Sequence, residues 1–176
     1  MPGAGLRVPI WILGSSLFGA QVAAALGLPY AFASHFAPAQ MMEAIALYRA
    51  RFQPSQQCEK PYVMLGFNVF AAESNEEAQL LATSMQQAFI NLRTGKPTTL
   101  QPPVAGYLDQ LSPPERYMLD SVLSCSAIGS AATVKSAMHA FASRTGADEI
   151  IVASMIYDHQ ARTRSYEIAA EVWRSQ

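Results

Sequence analysis

The chain carries small and hydroxyl-bearing residues at a position suited to binding an anion. An apolar run ends in Gly14-Ser15-Ser16, and an Ala-rich, helix-like stretch containing Gly19 follows it. At a strand-to-helix turn of this kind, serine hydroxyls and the first N–H groups of the helix can bind a phosphate, and glycines let it approach the backbone. Glycine and serine also make ordinary turns, and the spacing matches neither a Walker A loop nor the G-x-G-x-x-G motif.

Histidines are the other residues that could carry chemistry. His35 ends an apolar segment beside Ser34 and Phe36, where it could bind a ligand or transfer a proton, or simply bond to a neighbouring loop. His139 falls within a helix pattern, and His159 either faces the site or helps to begin the last helix. The three are far apart and have no carboxylate at ligand spacing, so the sequence predicts no metal site.

Composition narrows the function classes. The 176 residues carry 12 basic and 13 acidic side chains and are 51% hydrophobic, which fits one domain with a sizeable core and no nucleic-acid partner. No apolar run approaches the ~20 residues of a membrane helix. The first nine residues, MPGAGLRVP, lack the apolar region of a secretion signal, so none is expected. Cys58 and Cys125 are expected to be free thiols, and the expected location is cytoplasmic.

The pattern of apolar residues predicts alternating strands and helices. Strands are predicted at residues 8–14, 28–35, 61–72 and 148–154, and helices at 18–27, 38–52, 74–93, 113–124, 130–146 and 161–174. Ser74 and Glu77 form a capping-box pattern, Ser130 suits an N-cap, and Gly27 and Gly146 suit helix ends. Residues 94–115 contain five prolines and are predicted to form an exposed excursion within one domain.

Alternation of this kind predicts an α/β fold with a parallel sheet and right-handed crossovers. Ligands in such folds bind where the carboxyl ends of the strands meet the helix N-termini, here Gly14 to Gly19, Ser34 to Pro38, Ala71 to Ser74, and Ser154 to Asp158. An eight-stranded (β/α) barrel needs about 250 residues. Four strands would therefore supply half of such a barrel.

Segments along the whole chain, in order and with similar spacing, resemble the C-terminal half of the luciferase-like flavin monooxygenases, especially the bacterial alkanal-monooxygenase-like subgroup. The segments are VPIWILGSSLFGAQVAAALGLPYAFASHFAP, YRARFQPS, EKPYVMLGFNVFAAESNEEAQLLATSMQQAF, AIGSAATVKSAM and TGADEIIVASMIYDHQARTRSYEIAAE. The resemblance implies a TIM-type (β/α)8 barrel, of which this chain supplies strands five to eight. Residues 94–115 then fall in the variable region after strand seven.

The resemblance also implies a cofactor and a reaction. Members of this family use FMN, usually reduced by a separate flavin reductase, and bring O2 to it to oxygenate a small organic substrate such as an aldehyde. Gly14, Ser15 and Ser16 match the turn that holds the flavin phosphate, with Gly19 near a third contact. Luciferase itself has a carboxylate at the position of Ser15. His35 and Phe36 match the end of strand six, beside the isoalloxazine, which makes His35 a candidate for a residue near the flavin or the substrate, while the catalytic residue stays unknown.

The family's first four βα units have no counterpart in residues 1–176. The resemblance implies that those units supply the other wall of the flavin site, with further phosphate contacts and the active-site histidine near the flavin edge. Two further hypotheses about the function therefore stay open beside that of a monooxygenase. One is a flavin-binding or remnant protein without turnover. The other is a half-barrel completed by a second copy or by another chain, because half a barrel exposes two sheet edges and one side of its core.

Overall fold

The computed structural model describes residues 5–175, and its core is one parallel sheet flanked by helices. The strands are β1 (Ile12–Gly14), β2 (Tyr30–Phe32), β3 (Val63–Ala71), β4 (Ser126–Gly129) and β5 (Glu149–Ala153). The helices are α1 (Leu17–Leu26), α2 (Met41–Arg51), α3 (Asn75–Arg93), α4 (Pro113–Leu123), α5 (Ala131–Thr145) and α6 (His159–Arg174). Single turns of 3-10 helix lie at Pro38–Gln40 and Tyr107–Gln110.

Every pairing in the sheet is parallel, and β3 is its central strand. Along a strand, the backbone groups of successive residues point to alternate edges. The carbonyl of Tyr62 accepts from the N–H of Tyr30 in β2, and the N–H of Asn68 donates to the carbonyl of Cys125, just before β4. Tyr62 and Asn68 are an even number of residues apart, so their backbone groups point to the same edge of β3. Strands β2 and β4 therefore lie one after the other along that edge. The carbonyl of Val63 accepts from the residue before β5, which lies along the opposite edge. Strands β1, β2, β3 and β5 thus form an arc of four neighbours, as a half-barrel requires.

The predicted α/β class, parallel sheet and half-barrel are confirmed, but the predicted number of four strands is wrong. The structure adds β4, a strand of four residues that begins directly after α4. Its residues, Ser-Ala-Ile-Gly, lack the apolar run that marked the other strands in the sequence. It forms because β2 stops early and leaves the second half of that edge of β3 free to pair.

Two predicted strands are shorter than expected because side chains and turns take over their backbone groups. Only Ile12–Gly14 of residues 8–14 is strand, since the N–H and carbonyl of Ile10 pair with the side chain of Gln57. Only Tyr30–Phe32 of residues 28–35 is strand, because Ala33 begins a turn in which its carbonyl accepts from the N–H groups of Phe36 and Ala37.

The predicted helix ends are largely confirmed. Gly27 and Gly146 follow α1 and α5 with φ of +63° and +59°, a left-handed conformation that glycine adopts at little cost. Ser74 caps α3 by accepting from the N–H of Glu77. The Glu77 carboxylate, however, accepts from Glu73 rather than from Ser74, and Ser130 lies at the N-cap of α5 without a side-chain capping bond.

Hydrophobic side chains form two cores on opposite faces of the sheet. Val63, Leu65, Phe67 and Val69 alternate along β3 and pack towards α1, α2, α5 and α6. Phe70 faces the other way, and it packs with residues of α3 and α4. The excursion at 94–115 is attached to α3, where Thr83 Oγ1 accepts from the N–H of Val104. No helix within residues 5–175 is both long and apolar enough to cross a bilayer.

Candidate functional site

The Gly14–Gly19 turn joins β1 to α1 and presents polar groups to solvent. Ser15 and Ser16 are both exposed. Ser16 is the N-cap of α1 in an extended conformation, with φ −145° and ψ 167°, yet its hydroxyl makes no capping bond. No acidic residue lies in the first turn of α1. Two hydroxyls and the unbonded N–H groups of a helix start are therefore available here to an anion.

Tyr30 of β2 packs against this turn and holds it in place, a role that the sequence did not predict. A Cβ added to Gly14 or Gly19 would lie within 3.5–3.8 Å of the Tyr30 ring, so the ring packs under both glycines. The Tyr30 hydroxyl donates to the carbonyl of Ser16 at 3.1 Å. Burial raises the pKa of Tyr30 to about 12, so the hydroxyl keeps its proton and remains a donor at neutral pH.

His35 lies in the turn that follows β2, with its ring across the backbone of β3. A Cβ on Gly66 would overlap His35 Nδ1 and approach Cε1 to 2.8 Å, so only glycine leaves room for the imidazole. Nδ1 is buried and has no hydrogen-bond partner within residues 5–175. Burial lowers the pKa of His35, because the charged imidazolium is poorly solvated there. The imidazole is therefore neutral at pH 7.

Two buried polar side chains fix the backbone around His35. Asn68 Nδ2 donates to the carbonyl of His35 at 2.9 Å. Ser34 Oγ donates to the carbonyl of Gly66 at 2.6 Å. Sequence reasoning missed Asn68, although it is the one polar residue inside the predicted strand at 61–72 and is 3% exposed. A buried amide in an apolar strand needs hydrogen-bond partners, and that need was the available signal.

A cavity of about 310 Å³ opens beside His35. Its lining comes from the turn after β2, from β3, α3 and α4, from the start of the 94–115 excursion and from the segment after β5, and it includes His35, Phe36, Asn68, Met85, Phe89 and Met155. Apolar side chains dominate this lining, and a small number of polar groups is typical of a site that orients an organic ligand. The Gly14–Gly19 turn belongs to the neighbouring strand, since the N–H of Ala33 donates to the carbonyl of Gly14 at 2.9 Å.

The other predicted candidates lie apart from this cavity. His139 of α5 stacks on Trp173 of α6, with ring centroids 5.3 Å apart. His159 begins α6, and its Nδ1 lies 2.9 Å from a guanidinium nitrogen of Arg162. Of the four predicted rim segments, Ala71 to Ser74 leads into the cap of α3 and supplies no cavity lining, whereas Ser154 to Asp158 supplies Met155. Residues 5–175 contain no group of three or more His, Cys, Asp or Glu side chains that could hold a metal ion.

Together, the fold and the site geometry define a parallel α/β half-barrel whose candidate site lies at the carboxyl ends of its strands. One part of this edge suits an anion, and the neighbouring part forms an apolar cavity beside a neutral histidine. This combination is typical of TIM-type barrels that bind a phosphate-bearing organic ligand.

Comparison with known proteins gives the family. The family model described as luciferase-like monooxygenase matches residues 1–149. A luciferase-like monooxygenase of Escherichia coli (strain K12) is 49% identical over 172 residues, which cover 98% of this chain and 51% of that protein. The Bacillus subtilis (strain 168) protein YvbT is 47% identical over 176 residues, which cover 99% of this chain and 52% of that protein.

A solved structure agrees with the sequence relatives. The crystal structure of apo-MsnO8 superposes with a TM-score of 0.76 at 29% identity, over 100% of this chain and 57% of that one. The chain belongs to the luciferase-like monooxygenase family, and it spans about half the length of the curated relatives that it matches.

Proposed function

We propose that this chain supplies the phosphate site and one wall of the flavin site of an FMN-dependent, luciferase-like monooxygenase. Gly14, Ser15, Ser16 and Gly19 would hold the phosphate, and His35 and Phe36 would lie beside the isoalloxazine. The observation that carries the proposal is the Ser16 hydroxyl, which occupies an N-cap position without capping the helix and is therefore available to a ligand.

The turn suits a dianionic phosphate for electrostatic and steric reasons. The positive end of the α1 dipole points at it, and no first-turn carboxylate opposes an anion. Gly14 and Gly19 let the strand end and the helix start pack closely on each other and on the Tyr30 ring, and the Tyr30 hydroxyl keeps the Ser16 peptide in position. The binding geometry would therefore be formed before the ligand arrives, which lowers the entropy lost on binding.

His35 suits a role beside the ring or the substrate. Its imidazole is neutral and lines the cavity, so it can accept a proton and return it during a reaction. Phe36 adds a half-exposed aromatic surface next to it. Reduced FMN, delivered by a flavin reductase, would supply the electrons that activate O2 for oxygenation of a small organic substrate such as an aldehyde. The apolar cavity would bind that substrate and exclude water.

A second candidate, a non-catalytic half-barrel that pairs with another copy or chain, is favoured by exposed apolar residues on the inner side of the arc. Leu13 of β1 is 71% exposed and Ile151 of β5 is 54% exposed, although their neighbours in sequence pack against the helices. Within residues 5–175, the outer edges of β1 and β5 have no partner strand. Such edges favour association with further strands.

Titration of the 176-residue protein with FMN tests the first proposal. Flavin fluorescence should report saturable binding, and Ser16→Asp should weaken it at least about tenfold, because a carboxylate would repel the phosphate at close range. Riboflavin lacks the phosphate, so Ser16→Asp should change its affinity much less.

Ser130→Asp is a matched control, since Ser130 is also an N-cap residue without a side-chain capping bond. It should leave FMN affinity unchanged. Equal FMN affinity of Ser16→Asp and the wild type would contradict the phosphate assignment. Absence of saturable binding up to millimolar FMN would contradict flavin binding by this chain alone.

Sedimentation equilibrium tests the second candidate. The wild-type protein should self-associate, and Leu13→Lys should weaken this association. If the monomeric Leu13→Lys variant also fails to bind FMN, the result favours completion of the barrel by a second copy. A monomer that binds FMN with the wild-type affinity would contradict it.

A further inference from the structure

Arg93 is the last residue of α3, and its guanidinium lies against two aromatic rings. The Cζ atom is 5.1 Å from the ring centre of Phe89 and 5.8 Å from that of Phe36. Both distances fall within the range of cation–π attraction, which restricts the side chain to this position. Phe36 follows His35 directly in the chain, so the guanidinium is held close to the proposed flavin and substrate site.

Arg93 has no acidic partner in the part of the chain that the structure describes. The three ion pairs among residues 5–175 all belong to Arg164. Arg93 itself is exposed, so its N–H groups are open to a ligand from solvent. A guanidinium presents several donors in one plane and matches the two oxygens of a carboxylate.

Arg93 lines a second cavity that adjoins the His35 cavity. This second cavity, of about 520 Å³, shares Phe36, Phe89 and Val122 with the first. No Asp or Glu side chain lines either cavity within residues 5–175, and Arg93 is the one Lys or Arg side chain that does. The two cavities therefore lie side by side with mainly apolar linings, and Arg93 places a positive charge at the second one.

We propose that these adjoining cavities bind an amphiphilic small molecule, with its apolar body beside His35 and an anionic group, such as a carboxylate, on Arg93. If the amphiphile is the substrate, its reacting group lies beside His35 and its anionic group lies at the remote end. That assignment of a substrate class rests on the proposed function. Binding of the amphiphile itself needs only the two cavities and Arg93.

Calorimetric titration of the 176-residue protein with octanoate and with 1-octanol tests this site without flavin. The two ligands have the same chain length and differ in the charged group. Arg93→Gln should weaken octanoate binding about tenfold, the effect of losing a charge-assisted hydrogen bond, and should change 1-octanol binding less than about twofold. Ala88→Phe, which would fill part of the His35 cavity, should weaken both ligands.

Arg51→Gln is the matched control, because Arg51 is exposed and is also the last residue of its helix. It should leave both affinities unchanged. The proposal is overturned if Arg93→Gln affects the two ligands alike or neither of them, or if the wild type binds neither. If the wild type does not bind FMN but Arg93→Gln still weakens octanoate binding, the result contradicts the proposed flavin function and supports this site.

Discussion

The Gly14–Gly19 turn and the His35 cavity lie at the ends of neighbouring strands, but they are built in different ways. The turn is a single run of six residues, and the groups that it offers are backbone N–H groups and two serine hydroxyls at a helix start. The cavity collects residues from 35 to 155 and depends on which strands and helices pack together. A local sequence pattern can therefore indicate the turn, whereas only the assembled fold forms the cavity.

The two regions also differ in how they tolerate change. The turn is open to solvent, and its glycines have ordinary contact distances around the position of a Cβ. The cavity is held by a ring packed onto a glycine and by two hydrogen bonds from the buried side chains of Ser34 and Asn68. We expect substitutions at the turn to affect ligand binding more than stability, and substitutions around His35 to affect both.

Gly66→Ala is expected to have the largest effect. The new methyl group would overlap the His35 ring, so the ring must leave its place and the strand must shift, at a cost of about 2 kcal/mol of unfolding free energy. Urea unfolding measures this cost. The chemical shifts of the His35 imidazole should change in the same variant, because the ring has moved.

Gly19→Ala is the matched substitution at the turn. A Cβ there would lie 3.5 Å from its nearest neighbours, an ordinary contact, and alanine is favoured over glycine within a helix by up to about 1 kcal/mol. Its unfolding free energy should equal or exceed that of the wild type. A larger loss of stability in Gly19→Ala than in Gly66→Ala would contradict the contrast between the two regions.

Tyr30→Phe is expected to have an intermediate effect, because it removes the hydrogen bond to Ser16 and leaves the ring in place. The net loss of one such bond costs about 1 kcal/mol. FMN affinity, measured by fluorescence titration, should fall a few-fold because the Ser16 peptide is less firmly held.

Tyr48→Phe separates positioning from stability. The Tyr48 hydroxyl donates to the carbonyl of Leu28 and accepts from the N–H of Tyr62, away from the turn. This variant should lose at least as much stability as Tyr30→Phe and keep the wild-type FMN affinity. If both variants lose affinity equally, Tyr30 acts only through general stability.

The smallest expected effect is the contribution of His35 to the pH dependence of stability. Burial lowers its pKa in the folded protein, whereas the unfolded chain has the ordinary value near 6.5. As the pH falls below about 6.5, the unfolded state takes up a proton that the folded state resists, so stability is lost towards acid and is complete above that pH. Urea midpoints at pH 7.5 and 5.5 should therefore differ less in His35→Gln than in the wild type.

His159→Gln is the control for this comparison, because it leaves His35 and its surroundings unchanged. Its midpoints should show the full wild-type difference between the two pH values. An unchanged difference in His35→Gln would mean that the fold does not resist protonation of this ring.

The prediction of secondary structure from the sequence succeeded where a signal was local. The long strand at β3, the Ser74 cap and the two glycine helix ends are confirmed because each depends on residues adjacent in the chain. The short strand β4 was missed, since it forms only where β3 has a free edge. The strand at 8–14 was overestimated because the Gln57 side chain, distant in sequence, occupies the backbone of Ile10.

The sequence by itself determined the α/β class, the parallel half-barrel, the family and the turn at Gly14–Gly19, because periodicity, caps and an ordered resemblance are properties of consecutive residues. The tertiary structure alone decided that Gly66 receives the His35 ring, that Tyr30 supports Ser16, and that Arg93 faces two aromatic rings beside a cavity. These contacts join residues from different strands and helices. Their distances depend on the packing of the whole sheet, which no local pattern records.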